Sequence, residues 1–79
     1  MKYRLLYFAS LADHAGCATE TRCSPTGDLR ALYAEAADEH GFTIAVDSVR
    51  VAVNGALVGW DHVPADGDEV VFLPPVSGG

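Results

Sequence analysis

Asn54-Gly55 stands between two β-forming runs, Val49-Arg50-Val51-Ala52-Val53 and Ala56-Leu57-Val58. A two-residue hairpin loop of type I′ needs positive φ at both central positions, and Asn-Gly is the strongest short-range signal for such a turn. The middle of the chain is thereby committed to an antiparallel pair of strands. Other segments follow the same period. Over Lys2 to Ala9, Tyr3, Leu5 and Tyr7 alternate with Lys2, Arg4, Leu6 and Phe8, which predicts a strand. Ala15-Gly16 fits a loop after it, and Thr19 to Cys23 is expected to return as the second strand of a hairpin. Ser24-Pro25-Thr26 halts that strand. Thr26 then serves as the expected cap of a helix in which Leu29, Leu32, Tyr33 and Ala36 recur at helical spacing and Asp28 places negative charge in the first turn. Gly41 is placed to end the helix in a left-handed conformation, with His40 in its last turn.

After the helix, Phe42 to Val46 reads as an apolar connection that packs on the core, and Gly59 to Ala65 as a loop. Asp66-Gly67-Asp68 marks a tight turn before the last strand, Glu69 to Leu73, where Val70 and Phe72 share one face and Val71 and Leu73 the other. Pro74-Pro75 ends pairing because neither residue donates a ladder hydrogen bond. Strand, strand, helix, strand, short strand, strand is the order of an α+β fold of the β-grasp, ubiquitin-like type. It has a mixed sheet of four to five strands, the first and last side by side in parallel, and one main helix packed on one face. The other face meets solvent or a partner.

At 79 residues the chain holds one small domain, and 5 Lys+Arg against 11 Asp+Glu give it a formal charge of -6. Nucleic acid and anionic membranes attract cationic faces, so neither is an expected partner; a basic protein surface is. The apolar run Leu5 to Ala12 is too short for an export signal and is followed by Asp13 and His14, and no stretch approaches the roughly 20 apolar residues of a span. A cytoplasmic protein is expected. Two cysteines are too sparse for a disulfide scaffold, so Cys17 and Cys23 read as reduced thiols, and His14 with Cys17 falls short of a metal ligand set. His14, His40 and His62 are expected to face solvent, Trp60 to anchor its loop, Asp66 and Asp68 to act as turn residues, and Arg50 to lie on the outer face of its strand.

Val76-Ser77-Gly78-Gly79 remains, with no element to join. At average glycine usage, two terminal glycines arise by chance in roughly one chain in 200. Here they follow a proline pair that favours a stiff, extended exit, and four residues reach about 13 Å. The expected organisation is a domain over 1–75 and a flexible tail over 76–79. A slim terminus of this kind can thread a narrow channel and present its carboxylate to another enzyme's active site. An ionised carboxylate is a poor electrophile; adenylation by ATP gives it a leaving group, after which a sulfur nucleophile yields a thiocarboxylate and an amine yields an amide.

Phe8-Ala9-Ser10-Leu11, Val53-Asn54-Gly55, Trp60-Asp61-His62 and above all the run from Asp66 to Gly79, DGDEVVFLPPVSGG, resemble the small subunits of molybdopterin synthase, the sulfur carriers of molybdenum-cofactor biosynthesis. The resemblance spans nearly the whole chain. It implies that Gly79 is adenylated by an E1-like adenylyltransferase/sulfurtransferase and converted to a thiocarboxylate, and that Gly78 gives the slim approach. It further implies that the tail enters the large synthase subunit and donates sulfur to cyclic pyranopterin monophosphate, in a heterotetramer of two small and two large subunits. On that reading this chain is no enzyme on its own and binds no cofactor or metal, while ATP is used by the activating partner. Phe8, Leu57 and Leu73 match family contact positions, and Pro74, Pro75, Val76 and Ser77 complete the expected interface. If Tyr3, Leu5, Tyr7, Val70 and Phe72 face the helix, then Leu6, Phe8, Val71 and Leu73 form an open apolar patch. The run Val63-Pro64-Ala65 departs from the Pro-Leu pair common before DGDEV, and neither cysteine matches a position with a role. Two other readings remain: a carrier for thiamine thiazole or cysteine synthesis, and a ubiquitin-like modifier conjugated through Gly79. A β-grasp ferredoxin is ruled out, since its cluster takes four ligands.

Overall fold

In the computed structural model, which describes residues 1–25 and 27–75, strand β1 (Lys2–Tyr7) lies between β2 (Thr19–Cys23) and β5 (Glu69–Leu73). Strands β3 (Arg50–Val53) and β4 (Ala56–Val58) complete a five-stranded sheet in the order β2-β1-β5-β3-β4. Only β1 and β5 run parallel, with Leu5 opposite Val70 and Tyr7 opposite Phe72; the other pairs are antiparallel. The expected α+β, β-grasp architecture is present, with five strands.

Alternation places Tyr3, Leu5 and Tyr7 of β1, Val51 and Val53 of β3, and Val70 and Phe72 of β5 on one buried face. Helix α2 (Leu29–His40) covers it with Leu29, Leu32, Tyr33 and Ala36, all buried. Fully burying side chains of this size contributes roughly 1.5–3 kcal/mol each, and this face supplies most of the core. Trp60 closes its end as expected: the indole lies parallel to Phe72 at 6.1 Å between centroids, and its Nε1 donates to the Val49 carbonyl at 3.1 Å.

The helix cap differs from the expectation. Thr26 lies outside the described residues, while α2 begins at Leu29 with Asp28 as its N-cap, the carboxylate accepting from the Arg30 amide at 3.0 Å. An anionic cap meets both the unpaired amides and the positive end of the helix dipole. Gly41 ends the helix at φ 75°, as its position predicts.

A second helix was not expected. Strand β1 stops at Tyr7 rather than continuing to Ala9, the backbone turns at Ala9 (φ 51°), and Ser10–Ala15 winds into a short helix, α1. Leu11 is completely buried, with Ala12 and Ala15 packed against the core beside it, so the end of the apolar run seals one edge of the core instead of extending the sheet. Beyond α2, Phe42, Ile44 and Val46 pack on the core as a connection and lead into a single 3-10 turn, Val46–Ser48.

The central turn is as predicted, with Asn54 at φ 52° and Gly55 at φ 88°. Its side chain also ties the hairpin to β5: Asn54 Oδ1 accepts from the Glu69 amide at 3.0 Å and Nδ2 donates to Asp68 at 3.1 Å. The Asp66-Gly67-Asp68 turn is pinned likewise, Asp66 accepting from the Lys2 amide and Asp68 from the Ala65 amide at 2.8 Å. No helix among the described residues is long and apolar enough to cross a membrane.

Candidate functional site

Residues opposite one another in a sheet share a face, so the registers define the surface that α2 leaves uncovered. Thr19 pairs with Leu6, Leu6 with Val71, Val71 with Ala52, and Ala52 with Leu57. One mostly apolar row therefore crosses all five strands on the outer face. At the end where β5 begins it is bordered by a polar row, Thr21, Arg4 and Glu69, in which Arg4 and Glu69 form an exposed ion pair at 3.9 Å. At the end where β5 finishes it is bordered by Phe8, Leu73 and Arg50, the last two in register.

Exposure along this face is uneven. Phe8 is 50% exposed and Leu57 63%, while Leu6 and Leu73 are half-buried. Val71 faces outward as expected but is only 9% exposed, and Ala52 beside it 8%. Both lie in inner strands with in-register neighbours on either side, so the centre of the face is flat and its contact area stands at Phe8 and Leu57. Arg50 is exposed on the outer face, as its strand position predicts.

A concavity of about 790 Å³ opens where β5 ends, lined by Phe8, Ala9, Asp47, Ser48, Arg50, Leu73, Pro74 and Pro75. Four expected site residues, Phe8, Leu73, Pro74 and Pro75, thus meet where β5 ends, and Leu57 stands apart on the edge strand β4. Val76, Ser77, Gly78 and Gly79 lie outside the described residues. Ala9, Asp47, Ser48 and Arg50 were not foreseen as neighbours of Pro74 and Pro75. The turn at Ala9 and the 3-10 turn bring them there, and neither carries a strong sequence signal.

The chain matches the ThiS family over residues 5–79. It belongs to the ThiS family. Among this ThiS-family chain's relatives, the molybdopterin synthase sulfur carrier subunit of Escherichia coli K12 is 39% identical, the match covering 96% of this chain and 98% of the relative. The Pyrococcus furiosus structure assigned as molybdopterin converting factor subunit 1 superposes with a TM-score of 0.79 at 34% identity, over 96% of this chain and 99% of that one. SAMP1, the small archaeal modifier protein of Haloferax volcanii, superposes at 0.70 with 29% identity over the full length of both chains.

On its helix side this ThiS-family chain carries a polar network that corrects one expectation. His40 does not face solvent: its side chain is 15% exposed, and Nε2 lies 2.5 Å from Glu20 Oε2. The same carboxylate accepts from the Tyr7 hydroxyl at 2.5 Å, and the Arg22 guanidinium reaches both Glu20 and Glu39. Burial opposes ionisation of Glu20, but hydrogen bonds from Tyr7 and His40, with the Arg22 charge, outweigh it and hold the carboxyl below the usual range. Burial first and the Glu20 carboxylate second push the Tyr7 phenol upward. Glu20, Glu39 and His40 bring their donor atoms within 4.8 Å of one another, yet Arg22 already pairs with both carboxylates, which marks a structural ion-pair network. His14 and His62 are exposed as expected. Both cysteines are free thiols, Cys17 partly buried against the core and Cys23 exposed on β2.

Proposed function

We propose that the chain is the sulfur-carrier subunit of a molybdopterin synthase, acting in the cytoplasm as a folded body over 1–75 with a transfer tail over 76–79. The observation that supports this best is its likeness, along nearly all of its length, to a curated relative of that name. The geometry is compatible with carrying: a flat docking face leads directly to the point where the tail departs.

Chemistry is divided between this chain and its partners. An E1-like adenylyltransferase binds ATP, and the Gly79 carboxylate attacks the α-phosphorus, forming the acyl-adenylate and releasing pyrophosphate. A persulfide sulfur then adds to the activated carbonyl and AMP departs; reductive cleavage of the sulfur–sulfur bond by a thiol leaves the thiocarboxylate on Gly79. In the large subunit the thiocarboxylate sulfur bonds to cyclic pyranopterin monophosphate, and water then hydrolyses the resulting thioester, breaking the acyl carbon–sulfur bond so that sulfur stays on the pterin and Gly79 returns as a carboxylate. A dithiolene needs two sulfurs, so two loaded carriers serve each product. This chain supplies the reacting atom, a slim Gly78-Gly79 approach and the recognition surface, and the large subunit supplies the catalytic pocket.

The likeness to a small archaeal modifier supports a second reading, conjugation of Gly79 to lysines of target proteins. Incubation with the E1-like enzyme, ATP and a sulfur donor, followed by intact mass, tests both. One oxygen replaced by sulfur at Gly79, and conversion of cyclic pyranopterin monophosphate to molybdopterin once the large subunit is added, is the expected outcome. Isopeptide conjugates without the thiocarboxylate would overturn it.

A further inference from the structure

The concavity at the root of the tail holds one cation, Arg50, set against an apolar wall of Phe8, Leu73, Pro74 and Pro75. Other arginines have partners: Arg4 meets Glu69, Arg22 meets Glu20 and Glu39, and Arg30 meets Asp47 at 3.7 Å. Arg50 makes no side-chain hydrogen bond or ion pair among the described residues, although it sits in register with Leu73 on the face continuous with the apolar row.

Asp47 shares the concavity but is paired with Arg30, which leaves the charge of Arg50 unbalanced while keeping a carboxylate at the site. A doubly charged phosphate entering beside Arg50 would meet that carboxylate, whereas a single carboxylate on a short aliphatic stem can pair with the guanidinium while its methylenes lie on the prolines and Phe8. The body as a whole carries -6, so long-range attraction brings it to basic surfaces. An acidic group received at Arg50 adds little to that attraction and instead fixes register, because only one docked orientation satisfies both.

We infer that Arg50 is a specificity residue that receives an aspartate or glutamate side chain of the large synthase subunit as the tail enters it. The inference rests on the carrier reading above. The large subunit is taken as the occupant because, on the carrier reading, it docks on the apolar row that Arg50 continues, and Arg50 lies in register with Leu73 at the end of β5 from which the tail enters that subunit.

Calorimetric titration of the large subunit with the wild-type chain, Arg50→Leu and Arg50→Lys tests this. Arg50→Leu is expected to weaken binding on the order of tenfold or more, as truncation of one member of a buried charge pair does. Arg50→Lys keeps the charge without the fork and should fall between. Arg50 is exposed in the free chain, so neither variant should shift the melting temperature, whereas a purely structural role for Arg50 would lower it in Arg50→Leu. Arg50→Leu binding as tightly as wild type would overturn the assignment alone. Failure of the wild-type chain to bind the large subunit would overturn the carrier reading and the assignment with it.

Discussion

The Tyr7 hydroxyl on β1 donates to the Glu20 carboxylate on β2 at 2.5 Å, on the face that carries the core. Because Tyr7, His40 and Arg22 all serve this one carboxylate, Glu20→Gln should destabilise the fold at neutral pH by about 1–3 kcal/mol, the range for hydrogen bonds to a charged group. The folded-state pKa of Glu20 lies below its ordinary value of 4.5, so its contribution is present above that value and is lost as pH falls through the lowered folded pKa. Urea denaturation should therefore show wild type and Glu20→Gln well separated at neutral pH and converging in acid. Parallel pH profiles would contradict this.

Asn54 serves the turn twice, by accepting φ 52° and by bonding across to Asp68 and Glu69. Asn54→Ala loses both and should cost about 1–3 kcal/mol. Gly55→Ala has open space for its methyl group but must hold φ 88°, so it should cost about 1 kcal/mol or more through backbone strain alone. Chemical denaturation of the two variants measures both losses.

Phe8→Ala and Leu57→Ala remove side chains that are half or more exposed, so each should change stability by no more than about 0.5–1 kcal/mol. Binding to the large subunit should weaken on the order of tenfold for each if they are anchor contacts. Leu73→Ala, half-buried, is expected to lower both affinity and stability. Titration paired with thermal melts separates the two effects.

Deleting Gly79, or adding a residue after it, should leave the melting temperature unchanged and abolish thiocarboxylate formation. Intact mass after incubation with the activating enzyme, ATP and a sulfur donor reads the loss. Full loading of the shortened chain would remove Gly79 from its role.

Leu11→Ala is expected to cost about 2–5 kcal/mol, since this side chain is completely buried where α1 seals the core. A loss near zero would mean that α1 contributes nothing to the fold.

Local chemistry made much of this legible. Asn54-Gly55 announced its turn because few residue pairs tolerate two positive φ values, and the 3.6-residue recurrence of Leu29, Leu32, Tyr33 and Ala36 announced α2. Helix α1 was hidden because six residues carry too little helical signal to stand out after a strand, and Leu11 fits either pattern. His40 was misjudged because the carboxylate that draws it inward, Glu20, is on another element, and such pairing is invisible until the elements meet. The apolar row from Leu6 to Leu57 had the same limit: its members could be suspected singly, but only the registers make them neighbours. Arg50 lies on the face that its strand position predicts, while its place in the concavity where β5 ends depends on turns around Ala9 and Ser48 that composition does not foretell.

Strand β5 is the last to be synthesised and lies between β1 and β3. Without it the sheet falls into two separate hairpins that share no ladder. A chain that stops before β5 thus has neither a continuous sheet nor the apolar row that crosses it. The segment that completes the sheet is therefore also the one that creates the outer apolar row, so an intact row reports that the chain has been made at least as far as Leu73.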